Sequence, residues 1–301
     1  MRPIGTVLIV VVTVFVGGAL IAPWLYWSAQ MSADLSPWFA ELARQPFHRY
    51  VHRSLLGLAI PGLWFIAWQN GLTSWRDLGM RRSPLAGRQF ISGALLGLLS
   101  LAAVGLLALA FDARRWNSNL SPALLGGSII SALAAALVVS PLEELLFRGA
   151  LFGGLRRGSQ WTTALLGSST VYALVHFFRA VEWTKPIKWD SGLLVLGQML
   201  EGLIDPHALA PGFFVLLLAG LILGLAYQKT NALWFSIGAH AGWIFWLKIY
   251  GVLTVEHSAG LPALWGSSKL IDGWIAAVVL LIPAVLLWDS NRLRNSDVRV
   301  A

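Results

Sequence analysis

Eight long apolar runs dominate this chain of 301 residues and constrain its fold more than any other feature. About 20 apolar residues cross a hydrocarbon core of about 30 Å, and a backbone inside lipid must satisfy its own hydrogen bonds, so each run is predicted to be helical. The runs lie near residues 4–27, 54–70, 89–111, 122–155, 160–178, 211–228, 231–250 and 271–288. The sequence therefore predicts an all-α fold, a polytopic membrane helix bundle of about eight transmembrane helices in a single domain, residues 1–301.

The composition supports a membrane protein and excludes several other classes. Hydrophobic residues make up 57% of the chain and charged residues only 12%, against about 25% charged residues in a soluble domain. The absence of cysteine excludes disulfides, thiolate nucleophiles and thiolate zinc sites. The basic residues behind the formal net charge of +8 are scattered among the connectors, which indicates contact with anionic membrane lipids and not with nucleic acid.

The connectors between the runs indicate an orientation. With eight spans both termini share one side of the membrane, and the short basic connectors at 76–88 and 156–157 lie on that side, which favours cytosolic termini. One connector, 179–210, is long and contains an apolar piece, 193–204, that is too short to span. We expect an interfacial or re-entrant segment there.

Two adjacent carboxylates, Glu143 and Glu144, lie inside the fourth apolar run. An ionised side chain at the bilayer centre costs upwards of about 2.5 kcal/mol, so such residues usually face the bundle interior and have a function. Glu144 and Arg148 are four residues apart on one helical face, the favourable order for an ion pair, whereas Glu143 points about 100° away. Glu143 is therefore the candidate proton acceptor. A structural ion-pair cluster near the interface explains the pair equally well.

Two histidines, His176 and His240, also lie within apolar runs. At 1.5 Å per residue, Glu143 and His176 both lie roughly 22–26 Å from the hairpin turn at residues 158–159, so their side chains can meet. His240 lies about 14 Å from the same membrane side, within reach if the helices tilt. Each histidine alone is explained by a structural hydrogen bond. The functional hypothesis depends on two carboxylates and two histidines at compatible depths on three helices.

These residues, in this order, resemble the three motifs of the CPBP family, named from CAAX proteases and bacteriocin-processing proteins and also called the Abi family. The resemblance covers about residues 120–250, which we interpret as the catalytic core. The matching residues are Glu143-Glu144-x-x-x-Arg148, then Tyr172-x-x-x-His176, then His240 in a helix of small residues.

The resemblance implies an intramembrane endopeptidase of the glutamic type. By analogy Glu143 is the general base, His176 helps to hold the water, Glu144 with Arg148 orients the site, and His240 contributes to the oxyanion hole. The implied partner is a protein or peptide substrate with a membrane-proximal cleavage site, and the implied location is a prokaryotic cytoplasmic membrane. No cofactor is expected; a zinc site formed by Glu143, His176 and His240 is the less favoured alternative.

One position departs from the family pattern. The family has Asn four residues after the last histidine, where this chain has Ile244, which has no hydrogen-bond donor. The oxyanion hole is then expected to depend on His240 alone or to use Tyr172, Trp243 or a backbone N–H. Losing one oxyanion donor typically costs 10²–10³ in rate when nothing replaces it. A catalytically weakened or inactive membrane scaffold, or an immunity protein, is therefore the alternative function. A proton-coupled transporter is a third alternative, although no inverted repeat supports it.

Overall fold

The computed structural model describes residues 3–178, 181–203, 206–257, 261–267 and 269–300. Within these ranges the chain is mostly helical, and an antiparallel pair of three-residue strands is the only sheet. The helices are α1 (Pro3–Val12), α2 (Gly18–Met31), α3 (Pro37–Ala43), α4 (Phe47–Gln69), α5 (Ala86–Ala110), α6 (Pro122–Glu144), α7 (Gly153–Gly158), α8 (Trp161–Val175), α9 (Ser191–Leu200), α10 (Pro206–Thr230), α11 (Trp234–Leu253), α12 (Pro262–Trp265) and α13 (Trp274–Val300). The strands are β1 (Arg114–Trp116) and β2 (Thr254–Glu256).

The helical membrane fold predicted from the apolar runs is confirmed. Five helical segments are long and apolar enough to cross a bilayer: Ile9–Met31, Phe47–Gln69, Ala86–Ala110, Pro122–Gly158 and Ala210–Thr230. The other three predicted spans are also helical but fall outside this set among the described residues. Helix α8 has 15 residues, and the apolar part of α13, Trp274–Asp289, is also short. Helix α11 has 20 residues, and its tryptophan, histidine and lysine side chains make it less apolar.

The chain divides into two compact units. One contains residues 1–71 and 177–206, and the other contains residues 72–176 and 207–301. In the first unit, α9 packs on α2 so closely that a Cβ on Gly192 would lie 1.8 Å from the carbonyl oxygen of Ala19. Val195 and Met199 on α9 are fully buried. The predicted short apolar segment is thus a helix packed within its unit; Arg179, Ala180, Ile204 and Asp205 of its connector lie outside the described residues.

The second unit contains a close contact between the backbones of α5 and α11. A Cβ on Gly93 or Gly97 would lie 2.1 or 2.2 Å from a carbonyl oxygen of α11, and one on Gly238 or Gly242 would lie 2.0 or 2.5 Å from a carbonyl oxygen of α5. Small residues at such contacts allow membrane helices to approach closely. The glycines around His240 therefore serve packing against α5, and they fix the position of His240 along that helix.

A short ribbon joins the far ends of the same two helices. Strand β1 follows α5, strand β2 follows α11, and Arg115 is paired with Val255 across them. Arg114 is buried and donates to the hydroxyl and carbonyl oxygens of Thr254 at 2.8 and 3.1 Å. Its guanidinium also lies over the ring of Tyr250. These contacts hold α11 to α5 at the end distant from the glycine contacts.

Candidate active site

The two carboxylates lie where α6 changes its helical geometry. Helix α6 ends at Glu144, and a π-helical segment, Leu145–Phe152, follows directly before α7. Wide turns of this kind are rare and frequently lie at functional sites, because the extra residue per turn re-aims the side chains around it. The sequence predicts regular α-helical spacing here, and no pattern in it indicates this segment.

Glu144 and Arg148 form the buried half of the site. Arg148 Nη1 donates to Glu144 Oε1 at 2.8 Å, and the two side chains are 3% and 0% exposed. Arg148 Nη2 reaches the carbonyl oxygen of Gly220 at 3.5 Å, and its guanidinium stacks 4.3 Å from the centre of the Tyr172 ring. The ion pair predicted from the four-residue spacing is therefore present, inside the protein and not at an exposed surface.

Helix α11 brings His240 onto the same carboxylate. His240 Nδ1 lies 3.0 Å from Glu144 Oε1, the oxygen that also accepts from Arg148. A carboxylate paired with arginine is an acceptor, so Nδ1 of His240 carries the proton. The opposite ring nitrogen, Nε2, then faces Glu143 Oε2 at 3.7 Å and the Tyr172 hydroxyl at 3.5 Å. Glu144 thus orients His240 as well as neutralising Arg148.

His176 occupies the C-terminal end of α8 and approaches Glu143 from the other side. Its Nδ1 lies 2.7 Å from the carbonyl oxygen of Tyr172, which can only accept, so this nitrogen also carries its proton. Its Nε2 lies 3.8 Å from Glu143 Oε2. The sequence-based depth estimate, which placed Glu143 and His176 level with each other, agrees with this distance.

The unprotonated Nε2 atoms of His176 and His240 therefore both face Glu143 Oε2. In their neutral forms both histidines present an acceptor nitrogen to an acceptor oxygen, at distances longer than the 2.7–3.2 Å of a hydrogen bond. Glu143 Oε2 is a buried atom with no hydrogen-bond partner among the residues that the structure describes. The side chains of Glu143 and His176 are 25% and 30% exposed, so this half of the site is accessible while the half around Glu144 is not.

Comparison with known proteins identifies the segment that carries this cluster. A family model described as "Type II CAAX prenyl endopeptidase Rce1-like", which is the CPBP family, matches residues 125–246. We refer to the matched residues, 125–246, as the CPBP segment. No curated protein and no solved structure matches the chain.

The CPBP segment extends from the second turn of α6 into α11 and includes all six residues of the cluster: Glu143, Glu144, Arg148, Tyr172, His176 and His240. The match supports a protease, and hence a hydrolase that acts on a protein or peptide. Together with the five candidate spans, it identifies an integral membrane protein.

The expected substitutes for the CPBP asparagine differ in their surroundings. Tyr172 is buried in the cluster, between Arg148 and the two histidines, with its hydroxyl near His240. Trp243 is not brought into the cluster, because its indole N–H donates to Ser100 Oγ on α5 at 2.9 Å. Ile244 is half-buried. The bond between Trp243 and Ser100 joins residues 143 positions apart, and no local sequence pattern indicates it.

Glu143, His176 and His240 supply the donor types of a zinc site. Among the described residues, no group of three or more His, Asp or Glu side chains has an arrangement that could hold a metal ion. Two ligands of one tetrahedral zinc are separated by about 3.4 Å, given Zn–N and Zn–O bonds of about 2.1 Å. The distances of 3.7 and 3.8 Å around Glu143 Oε2 are longer than that.

Proposed function

We propose that this chain is an intramembrane endopeptidase of the glutamic type, in which Glu143 activates a water that hydrolyses a peptide bond. The observation that carries the proposal is the convergence of His176 Nε2 and His240 Nε2 on Glu143 Oε2 at 3.8 and 3.7 Å. This oxygen is buried and has no hydrogen-bond partner within the described part of the chain. These two nitrogens and the carboxylate oxygen are all acceptors, so they require a donor between them. A water about 2.8 Å from each can donate its two protons to two of the three at a time.

The proposed chemistry requires one proton acceptor and one oxyanion site. Glu143 takes a proton from the water as the water oxygen bonds to the scissile carbonyl carbon, and the carbonyl oxygen becomes an oxyanion. The C–N bond then breaks as Glu143 returns the proton to the leaving amine. His176 positions the water. The hydroxyl of Tyr172 stabilises the oxyanion in place of the family asparagine, and His240, held by Glu144 and Arg148, does so in its imidazolium form, in which Nε2 also carries a proton.

We propose a substrate that is itself membrane-associated or exported, with its cleavage site near the bilayer. Lipidated proteins, proteins with a C-terminal membrane anchor and peptide precursors fit this description, and the family description refers to a prenyl endopeptidase. We further propose a prokaryotic cytoplasmic membrane with cytosolic termini, supported by basic connectors that include Arg81, Arg82, Arg156 and Arg157. In that orientation the site lies nearer the non-cytosolic face, which suits exported proteins.

The function is tested by processing of candidate substrates in membranes that contain the wild-type chain or His176→Ala. We expect the variant to reduce the initial rate by about 10², because a small misplacement of a reacting water has that effect. The readout is the cleaved fragment, identified by mass spectrometry. Equal rates for the two chains on a verified substrate would contradict the proposed role of His176.

A chelator separates the water mechanism from a zinc mechanism, which would need the same residues. Incubation with 1,10-phenanthroline is expected to leave the wild-type rate unchanged. Inhibition that is reversed by added zinc would show that the two histidines and Glu143 bind a metal, and it would contradict the metal-free proposal while leaving the protease assignment intact.

The second candidate function is a catalytically weakened or inactive CPBP-type scaffold or immunity protein, and Ile244 is the observation that favours it. If the missing amide limits the rate, Ile244→Asn is expected to raise it by about 10²–10³, which is the typical contribution of one oxyanion donor. The measurement compares both chains on one substrate, with Ile244→Leu as the control for packing. A fast wild-type chain with no gain from Ile244→Asn would exclude the weakened-enzyme hypothesis.

A further inference from the structure

The connector between the first two candidate spans contains an interfacial groove. The spans Ile9–Met31 and Phe47–Gln69 are joined by residues 32–46, so this connector lies at a membrane surface. Around it, Trp24, Met31, Leu35 and Trp38 present large apolar side chains that are 61–87% exposed. Exposed tryptophan and aliphatic side chains at such a position indicate contact with the boundary between lipid headgroups and acyl chains.

Two adjoining cavities open beneath this connector. The first, of about 390 Å³, is lined by Trp38, Glu41, Leu42, Gln45 and Arg53. The second, of about 260 Å³, shares Leu42 and Arg53 with the first and extends along α2 to Ala29 and Leu25. Among the described residues that line the two cavities, Arg53 is the only cation. The walls of the groove are mostly apolar, its charged lining residues are Glu41 and Arg53, and Arg53 lies where the two parts meet.

The charges around the groove favour an anion. Arg49 and Arg53 are four residues apart on α4, so both lie on one face of its first turns. Among the residues that the structure describes, neither forms an ion pair with a carboxylate: Arg49 donates to the amide oxygen of Gln45, and Glu41 is paired with Arg44 at 3.6 Å. Arginine binds phosphate oxygens through two parallel hydrogen bonds.

We propose that this groove binds an anionic phospholipid. Its phosphate is held by Arg53 with help from Arg49, and one acyl chain lies against Leu42, Trp38 and the α2 side of the second cavity. Charge complementarity and an apolar groove beginning at the same guanidinium together favour this occupant. A zwitterionic lipid carries a cationic group beside its phosphate that Arg53 and Arg49 repel, and free phosphate has no acyl chain to place in the groove.

The proposal is tested by native mass spectrometry of the delipidated full-length chain titrated with phosphatidylglycerol or phosphatidylcholine. We expect phosphatidylglycerol to bind more tightly, and Arg53→Gln to weaken it about 10- to 100-fold, because charge-assisted hydrogen bonds to phosphate are lost. Arg53→Lys, which keeps the charge but not the bidentate geometry, should lie between the two. Arg88→Gln removes an exposed arginine at the start of α5 and is the matched control.

Two further titrations distinguish the lipid from other anions. A short-chain phosphatidylglycerol should bind more weakly than the long-chain lipid if an acyl chain occupies the groove, and inorganic phosphate should not displace the long-chain lipid. Equal binding by Arg53→Gln and the wild-type chain, equal binding of the two headgroups, or full displacement by phosphate would each overturn the proposal. The readout is lipid retention and is independent of proteolysis, so its outcome does not bear on the proposed protease function.

Discussion

Replacing Glu143 by glutamine should reduce proteolysis by about 10²–10⁴, the usual contribution of a general base, while leaving the protein folded. Glutamine keeps the size of the side chain and removes only its ability to accept a proton. Since Glu143 Oε2 has no hydrogen-bond partner among the described residues and the side chain is 25% exposed, little structural stability depends on its charge. The measurement is the single-turnover rate on a verified membrane-anchored substrate.

The matched control for this experiment is Glu182→Gln, an exposed carboxylate on the connector after α8, which should leave the rate unchanged. Thermal unfolding of both variants should follow that of the wild-type chain. If Glu143→Gln cleaves the substrate as fast as the wild-type chain does, another group activates the water and the glutamic mechanism proposed for this site is wrong.

Replacing Arg148 by methionine should destabilise the protein by about 3–5 kcal/mol, because it leaves Glu144 as a buried charge without its partner. Both side chains are almost fully inaccessible, and Glu144 Oε1 also accepts from His240. Without Arg148 the carboxylate of Glu144 is no longer fixed, so His240 should lose its position and proteolysis should be lost. The measurement is the free energy of unfolding in a mild detergent, together with the rate of cleavage.

The double variant Glu144→Gln with Arg148→Met removes both charges and should be more stable than Arg148→Met alone, since no unpaired charge remains inside the protein. Its proteolysis should stay lost, because Glu144→Gln removes the carboxylate that accepts from His240 Nδ1 and orients its ring. Arg115→Met provides the comparison: Arg115 forms an equally short pair with Asp112, but both side chains are more than half exposed, so the loss should be much smaller than for Arg148→Met. A loss of similar size for the buried and exposed arginines would contradict this account.

Much of the fold could be predicted from the sequence because length and hydropathy alone determine where lipid-facing helices form. Each of the eight apolar runs is helical among the described residues, although only five of the segments are long and apolar enough to span. The difference concerns α8, α11 and α13. Helix α8 ends at Val175, one residue before His176, and α11 carries polar and aromatic side chains that serve the site and its packing against α5.

The candidate site was partly predictable for the same reason. Counting residues from the turn at 158–159 placed Glu143 level with His176, and the four-residue spacing predicted the pair of Glu144 with Arg148. Three features were not predictable from the sequence: the π-helical segment after Glu144, the hydrogen bond from His240 to Glu144, and the hydrogen bond from the Trp243 indole to Ser100. They depend on which helices pack together and at what register, and a local pattern in one helix does not encode either.

The glycine contacts between α5 and α11 have a consequence for any shortened version of this protein. Helix α5 ends at residue 110, before the matched CPBP segment begins at residue 125, yet its backbone supports the part of α11 that carries His240. A fragment cut to residues 125–246 would keep all six residues of the cluster. It would lose α5, against which the part of α11 that carries His240 is packed. The smallest unit able to assemble the cluster therefore starts upstream of α5.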